Sequence, residues 1–205
     1  MRSIRRISSA VGLAVALGAL AGATSASAAT IGPAGTAFTG WGSGEQVYSI
    51  TSSNKFRCNQ AKFTGTTPSP ATSSVSVTAS FGAATGVSGA WCRWYVGGSY
   101  MTTPVTTSDP WTLTASSFNA LDGTFTGTMT TGTMTTAIGA TCRLTFPAGT
   151  TLNVSGLNDP EGLSLAMSAA YRTYTSTGCG ALGIPATGST GAYSGSVWVE
   201  GISVS

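Results

Sequence analysis

The chain has 205 residues, of which only 7% are charged and none is histidine, and its nine Lys and Arg against six Asp and Glu give a formal net charge of +3. Arg2, Arg5 and Arg6 account for that excess, so residues 29–205 are neutral, with Lys55, Arg57, Lys62, Arg93, Arg143 and Arg172 against Glu45, Asp109, Asp122, Asp159, Glu161 and Glu200. The sequence pI of about 8.8 therefore gives no ground for nucleic acid or an anionic membrane as partner, and the missing histidine removes Ser-His-Asp and Cys-His nucleophile activation together.

At the start of the chain, Arg2, Arg5 and Arg6 precede an apolar run from Val11 to Ala23 and an Ala26-Ser27-Ala28 cleavage box. Residues 1–28 read as a secretory signal helix that is cleaved on export, leaving a single domain over residues 29–205. A domain of that size buries roughly 70% of the surface its unfolded chain exposes. It contains no second apolar run near the roughly 20 residues of a membrane-spanning helix, so no transmembrane anchor is expected after cleavage. Cys58, Cys92, Cys142 and Cys179 form an even set suited to an oxidising destination, without a C-x-x-C pair. Their spacing favours Cys58–Cys92 and Cys142–Cys179 over the two other pairings, each bridge adding about 3–4 kcal/mol on a chain-entropy model. No metal and no cofactor are expected.

Along the domain, apolar and hydroxyl residues alternate with period two, as at Val75, Val77, Ala79 and Phe81. The pattern recurs at Trp111, Leu113 and Ala115, at Phe125, Gly127 and Met129, at Leu152 and Val154, and from Leu163 to Tyr171. Such segments are strands with one buried face. Turn signals at Asp109-Pro110, Asp122-Gly123 and Asn158-Asp159-Pro160 separate them. The expected fold is all-β, an antiparallel β-sandwich or jelly-roll-like domain of roughly ten strands. An outer-membrane-type barrel alternates in the same way, although two disulfides and short Gly-rich strands favour the soluble sandwich. Phe-Thr-Gly at Phe38, Phe63 and Phe125 and one cysteine pair in each part suggest a two-fold pseudo-repeat, with halves near 36–115 and 123–205. The outward faces are hydroxyl-rich, above all from Thr124 to Thr136, and uncharged strand edges invite self-association. The Ile184-Pro185-Ala186-Thr187-Gly188 stretch resembles a wall-sorting pentapeptide but lacks the apolar tail and basic cluster, and reads as a turn.

The candidate binding residues lie in Trp91-Cys92-Arg93-Trp94-Tyr95. If Cys92 points inward to a bridge, Trp94 is also internal, and Trp91, Arg93 and Tyr95 share the opposite face, which Tyr100 extends. Aromatic strips of this kind stack on sugars or meet apolar partners. Trp41 and Tyr48 are weaker candidates for the same surface. For hydrolysis of a glycoside, Asp159 and Glu161 are the closest carboxylate pair, in a turn that reads as solvated. Calcium through Asp122 and Asp159 lacks the expected loop motif, and threonine ladders matched to ice are irregular beyond one strand.

Gly32-Pro33-Ala34-Gly35-Thr36-Ala37-Phe38-Thr39-Gly40, Phe56-x-Cys58, Ala61 to Thr66, the strand Ser74–Phe81, Cys92 and Pro110 to Ala115 occur in an order that resembles secreted bacterial activators of alkane oxidation and similar exported actinobacterial β proteins. The likeness covers roughly the first half of the domain. It implies an extracellular, non-catalytic accessory protein, surface-attached or adhesive. The expected function is therefore a secreted, non-enzymatic, adhesin-like protein at the cell surface. Its partners are a hydrocarbon or lipid surface, polysaccharide, or further copies of itself. A carbohydrate-binding module is the first alternative and a secreted glycosidase the second.

Overall fold

Strands that alternate Phe, Val, Leu or Met with Ser and Thr each have one face to bury, and this chain buries them by wrapping its long strands around a shared apolar axis. The computed structural model describes residues 29–42, 46–50, 54–96, 98–169, 173–189 and 193–205. The expected signal helix of residues 1–28 lies outside the described residues. In chain order the first half forms β1 (Ile31–Gly32), β2 (Ala37–Gly42), β3 (Gln46–Ser49), β4 (Lys55–Cys58), β5 (Ala61–Thr66), β6 (Ser74–Phe81), β7 (Cys92–Val96), β8 (Ser99–Thr102), β9 (Val105–Ser108) and β10 (Trp111–Phe118). The second half adds β11 (Thr124–Thr130), β12 (Thr133–Ile138), β13 (Cys142–Phe146), β14 (Thr151–Asp159), β15 (Gly162–Ala169), β16 (Thr173–Thr177), β17 (Thr187–Ser189), β18 (Tyr193–Glu200) and β19 (Ser203–Val204).

Eight of these, β2, β5, β6, β10, β11, β14, β15 and β18, lie side by side in that order, and β18 pairs back onto β2. All of the pairings are antiparallel, so the chain is all-β as expected, but the eight strands close into a barrel where an antiparallel β-sandwich or jelly-roll-like domain was expected. The barrel is a meander, with four strands from each half of the chain, and lacks the crossing connection of a jelly roll. Strand segments exceed the expected ten because several barrel strands bend at the upper end, where β2 leads to β3, and continue as a second, shorter strand. The apolar side chains point into the lumen and hydroxyls point out, the reverse of an outer-membrane barrel. Phe38, Phe63, Leu113, Met129, Leu165 and Val197 fill the lumen, leaving space for about one water. Among the described residues no helix is long and apolar enough to cross a membrane.

Above the barrel the chain divides into two small sheets. One is β3-β4-β7-β8, attached to the barrel because β18 pairs with β3 as well as β2; the other is β17-β16-β13-β12-β9. Trp94 of the first sheet and Thr136 of the second are both buried, at 0% and 1% exposure. The Trp94 indole N–H donates to Thr136 Oγ1 at 3.2 Å, and the Thr103 hydroxyl lies 2.9 Å from the same oxygen. This contact corrects one expectation, since Thr136 is buried, not outward-facing. The inward positions shift from Phe125 and Met129 in β11 to Met134, Thr136 and Ile138 in β12, so the turn Thr131-Gly132 reverses which alternate residues face the core. The bridges Cys58–Cys92 and Cys142–Cys179 each fasten a sheet. At the lower end β1 pairs with β19, and Ile31, Ile202 and Val204 are buried there as a lid over the lumen.

Two glycine–aromatic pairs explain part of the Phe-Thr-Gly grammar. Phe38 in β2 stands opposite Gly65 in β5, and Phe125 in β11 stands opposite Gly156 in β14. In each case the ring covers the glycine, and a Cβ there would lie 2.6 Å from a backbone oxygen, Ser76 O or Ser164 O. Glycine thus lets the strand curve and the ring take the vacant volume. We expect Gly156→Ala to destabilise the protein by about 2–3 kcal/mol in urea unfolding, through strain against Phe125 and Ser164.

The lower lid depends on one side chain. Asn158 donates its amide to the Val204 carbonyl and accepts the Val204 N–H at 3.0 Å, acting as a substitute strand partner. Asn158→Ala is expected to cost about 1–3 kcal/mol, because two backbone groups lose their partner at once. Faster amide exchange confined to residues 30–32 and 202–205 would accompany the loss.

Candidate functional site

β7 carries its residues as alternation dictates. Cys92 and Trp94 are buried, while Trp91, Arg93 and Tyr95 are half-buried on the outer face of the four-stranded sheet. Trp91 enters the strand fixed by Asn59, whose Oδ1 accepts the Trp91 N–H at 2.7 Å and whose backbone N–H donates to Trp91 O at 3.1 Å. The Arg93 guanidinium stacks over the Trp91 ring at 4.3 Å, a cation–π contact. Tyr95 faces Tyr100 across the β7–β8 pair, with ring centres 5.0 Å apart and planes tilted by 49°. Tyr100 is 57% exposed. All four residues singled out from the sequence, Trp91, Arg93, Tyr95 and Tyr100, therefore share one face. The rings are not coplanar, and one side of Trp91 is already covered by Arg93.

Sequence reasoning missed the cations beside them. In β4, Arg57 stands opposite Arg93 and Lys55 opposite Tyr95. Continuing past the bend at Asn59-Gln60, Lys62 of β5 lies on the barrel exterior with its Nζ 5.0 Å from the centre of the Trp41 ring. Trp41 is in turn paired across strands with Trp198. Aromatic and cationic side chains thus alternate along one side of the molecule. The signal was present in the parity of Lys55, Arg57 and Lys62, but only once the bend is known. The side chain of Tyr48, the other early candidate, lies outside the described residues.

The second sheet presents a different surface. Thr106, Thr135, Thr145, Thr175 and Thr187 are successive cross-strand partners, a row of five threonines over five strands. Arg143 stands at its margin, beside a shallow hollow lined by Pro104, Thr106, Thr135 and Ala137. Thus the regular threonine array spans the strands, although along any one strand it is short.

The carboxylates are elsewhere. Asp122 lies in the β10–β11 turn, where it accepts the Thr124 hydroxyl at 2.6 Å and the Thr124 N–H at 2.9 Å. These bonds hold its pKa below the usual carboxylate range. Asp159 accepts the Glu161 N–H at 3.2 Å in the β14–β15 turn. Both it and Glu161 are exposed, the solvated-turn arrangement. Asp122 and Asp159, considered for calcium, each close their own turn, and among the described residues no three His, Cys, Asp or Glu side chains gather in a metal-binding group. The chain matches no protein-family model, no curated protein and no solved structure.

Proposed function

We propose that this is an exported, non-catalytic protein that works outside the cell or at its surface by holding a carbohydrate chain on the outer face of the β3-β4-β7-β8 sheet. Export rests on the arrangement of residues 1–28, and the two disulfides suit a non-reducing compartment. The observation that carries the reading is the half-open aromatic pair Tyr95–Tyr100 beside the Arg93-stacked Trp91. Sugar rings offer C–H faces to aromatic side chains and hydroxyls to charged ones, and this strip presents both. Contact with hydrocarbon or lipid, which the resemblance to alkane-oxidation activators implies, has less support. The exposed large apolar side chains among the described residues are Tyr100 at the upper end and Leu121 and Leu157 at the lower end, so they do not form one patch.

Affinity electrophoresis through gels containing different polysaccharides tests this directly. Wild-type protein should be retarded by at least one polysaccharide, and the double variant Tyr95→Ala, Tyr100→Ala should bind about tenfold more weakly while keeping its circular dichroism spectrum. Retardation unchanged in the double variant removes the site. A protein that ignores every polysaccharide but leaves solution with hydrocarbon droplets restores the apolar reading.

A further inference from the structure

We propose that two copies of this chain join edge to edge through β8, so that their two four-stranded sheets become one continuous sheet across a two-fold axis. The inference does not depend on what the outer face of that sheet holds. Strand edges elsewhere in the molecule are already answered. The barrel closes on itself, Thr72 bridges to the far side of Ile31 in β1, and Asn158 occupies the far side of Val204 in β19. β9 lies between Pro104 and Asp109-Pro110, and its Thr107 hydroxyl donates to Ala79 O of β6 at 2.5 Å. β17 is three residues long and follows Pro185 closely. β8 has none of these devices. Its residues Ser99, Tyr100, Met101 and Thr102 include no charge and no proline, all but Met101 are exposed, and among the described residues no strand lies beyond it. Such an edge is a template for another strand.

The phase of the β7–β8 ladder fixes what that edge offers. The Thr103 N–H donates to Cys92 O at 2.9 Å, so the next pairs along, Arg93 with Thr102 and Tyr95 with Tyr100, are the non-hydrogen-bonded ones with respect to one another. The N–H and C=O groups of Tyr100 and Thr102 therefore point away from β7. Two such residues, one apart, are complementary to themselves. With the axis through Met101, Tyr100 exchanges two hydrogen bonds with the second copy's Thr102, and Thr102 exchanges two with the second copy's Tyr100, an isologous contact. That self-match selects a second copy as the occupant over an unrelated extended peptide. On the outer face, Tyr95, Tyr100, the second copy's Thr102 and the second copy's Arg93 fall into one row. The two Tyr100 rings, each 57% exposed in the single chain, become diagonal neighbours across the join. On the inner face Met101, which packs against the core, meets its own equivalent. The two Arg93 residues stand three strand spacings apart, roughly 15 Å, beyond the screening length at physiological salt. Residues 29–205 carry no net charge, so whole copies approach without long-range repulsion.

An edge of four residues makes a small interface and a dimer that dissociates on dilution. Light scattering on the exported protein, disulfides intact, should give the mass of one chain when dilute and approach that of two chains by about 1 mM. Amide exchange locates the contact without any variant: from dilute to concentrated protein the Tyr100 and Thr102 amides should slow by about tenfold or more, while those of β17 should not change. Proline is admitted where the N–H of an edge strand faces solvent. Thr102→Pro should therefore keep the circular dichroism spectrum of the single chain and pair about tenfold more weakly, since two of the four bonds across the join lose their donor. A one-chain mass at about 1 mM overturns the proposal. So does a dimer whose Tyr100 and Thr102 amides exchange as fast as in the single chain, growth beyond two copies, or pairing of folded Thr102→Pro as tight as that of the wild type.

Discussion

The rest of the structure depends on the pairing of one strand, β18, with three others. Its upper residues Tyr193 and Ser194 hold β3, its lower residues from Val197 to Glu200 hold β2, and its other edge runs against β15 along its whole length. The first of these suspends the four-stranded sheet, and the other two close the barrel. Without closure the eight strands are an open sheet with its apolar side exposed. With it, every backbone edge inside the barrel is paired and the alternating Phe, Val, Leu and Met become a filled core.

The proposed binding face inherits its rigidity from that arrangement. Its outer residues sit on strands whose inner residues are anchored twice, by the Cys58–Cys92 bridge and by Trp94 reaching Thr136 on the facing sheet. Arg93 and Tyr95 flank Trp94 in sequence, so a buried indole on one side of the strand positions the guanidinium and phenol on the other. Threonine is suited to the receiving position because its hydroxyl accepts the indole N–H and still reaches Thr103. Two outer faces result, one aromatic and cationic, the other a field of hydroxyls.

What the sequence made legible was local. Ser74–Phe81 and Trp111–Phe118 read as strands from their alternation, and Cys92-Arg93-Trp94-Tyr95 sorted into inner and outer residues by parity alone. Closure was not legible, because β2 and β18 lie at opposite ends of the domain and neither was among the segments that alternation marked as strands. Nor was the turn at Thr131-Gly132, where one displaced residue carries Thr136 from the expected surface into the core. The five-threonine row and the cationic band escaped for a related reason. Both are assembled across strands, from residues that are isolated in the chain and become neighbours only through register.

The meander order has a kinetic meaning. Every barrel strand after β2 pairs with the barrel strand before it, so a sheet can grow strand by strand as chain becomes available. The seam between β2 and β18 is the exception and joins at the end, once the last strand is in place. Until then β2 and β15 both offer bare edges, on strands poor in charge. A chain interrupted before β18 is consequently a sticky intermediate more than a weakened native protein, and its fate turns on whether the seam forms before two such chains meet.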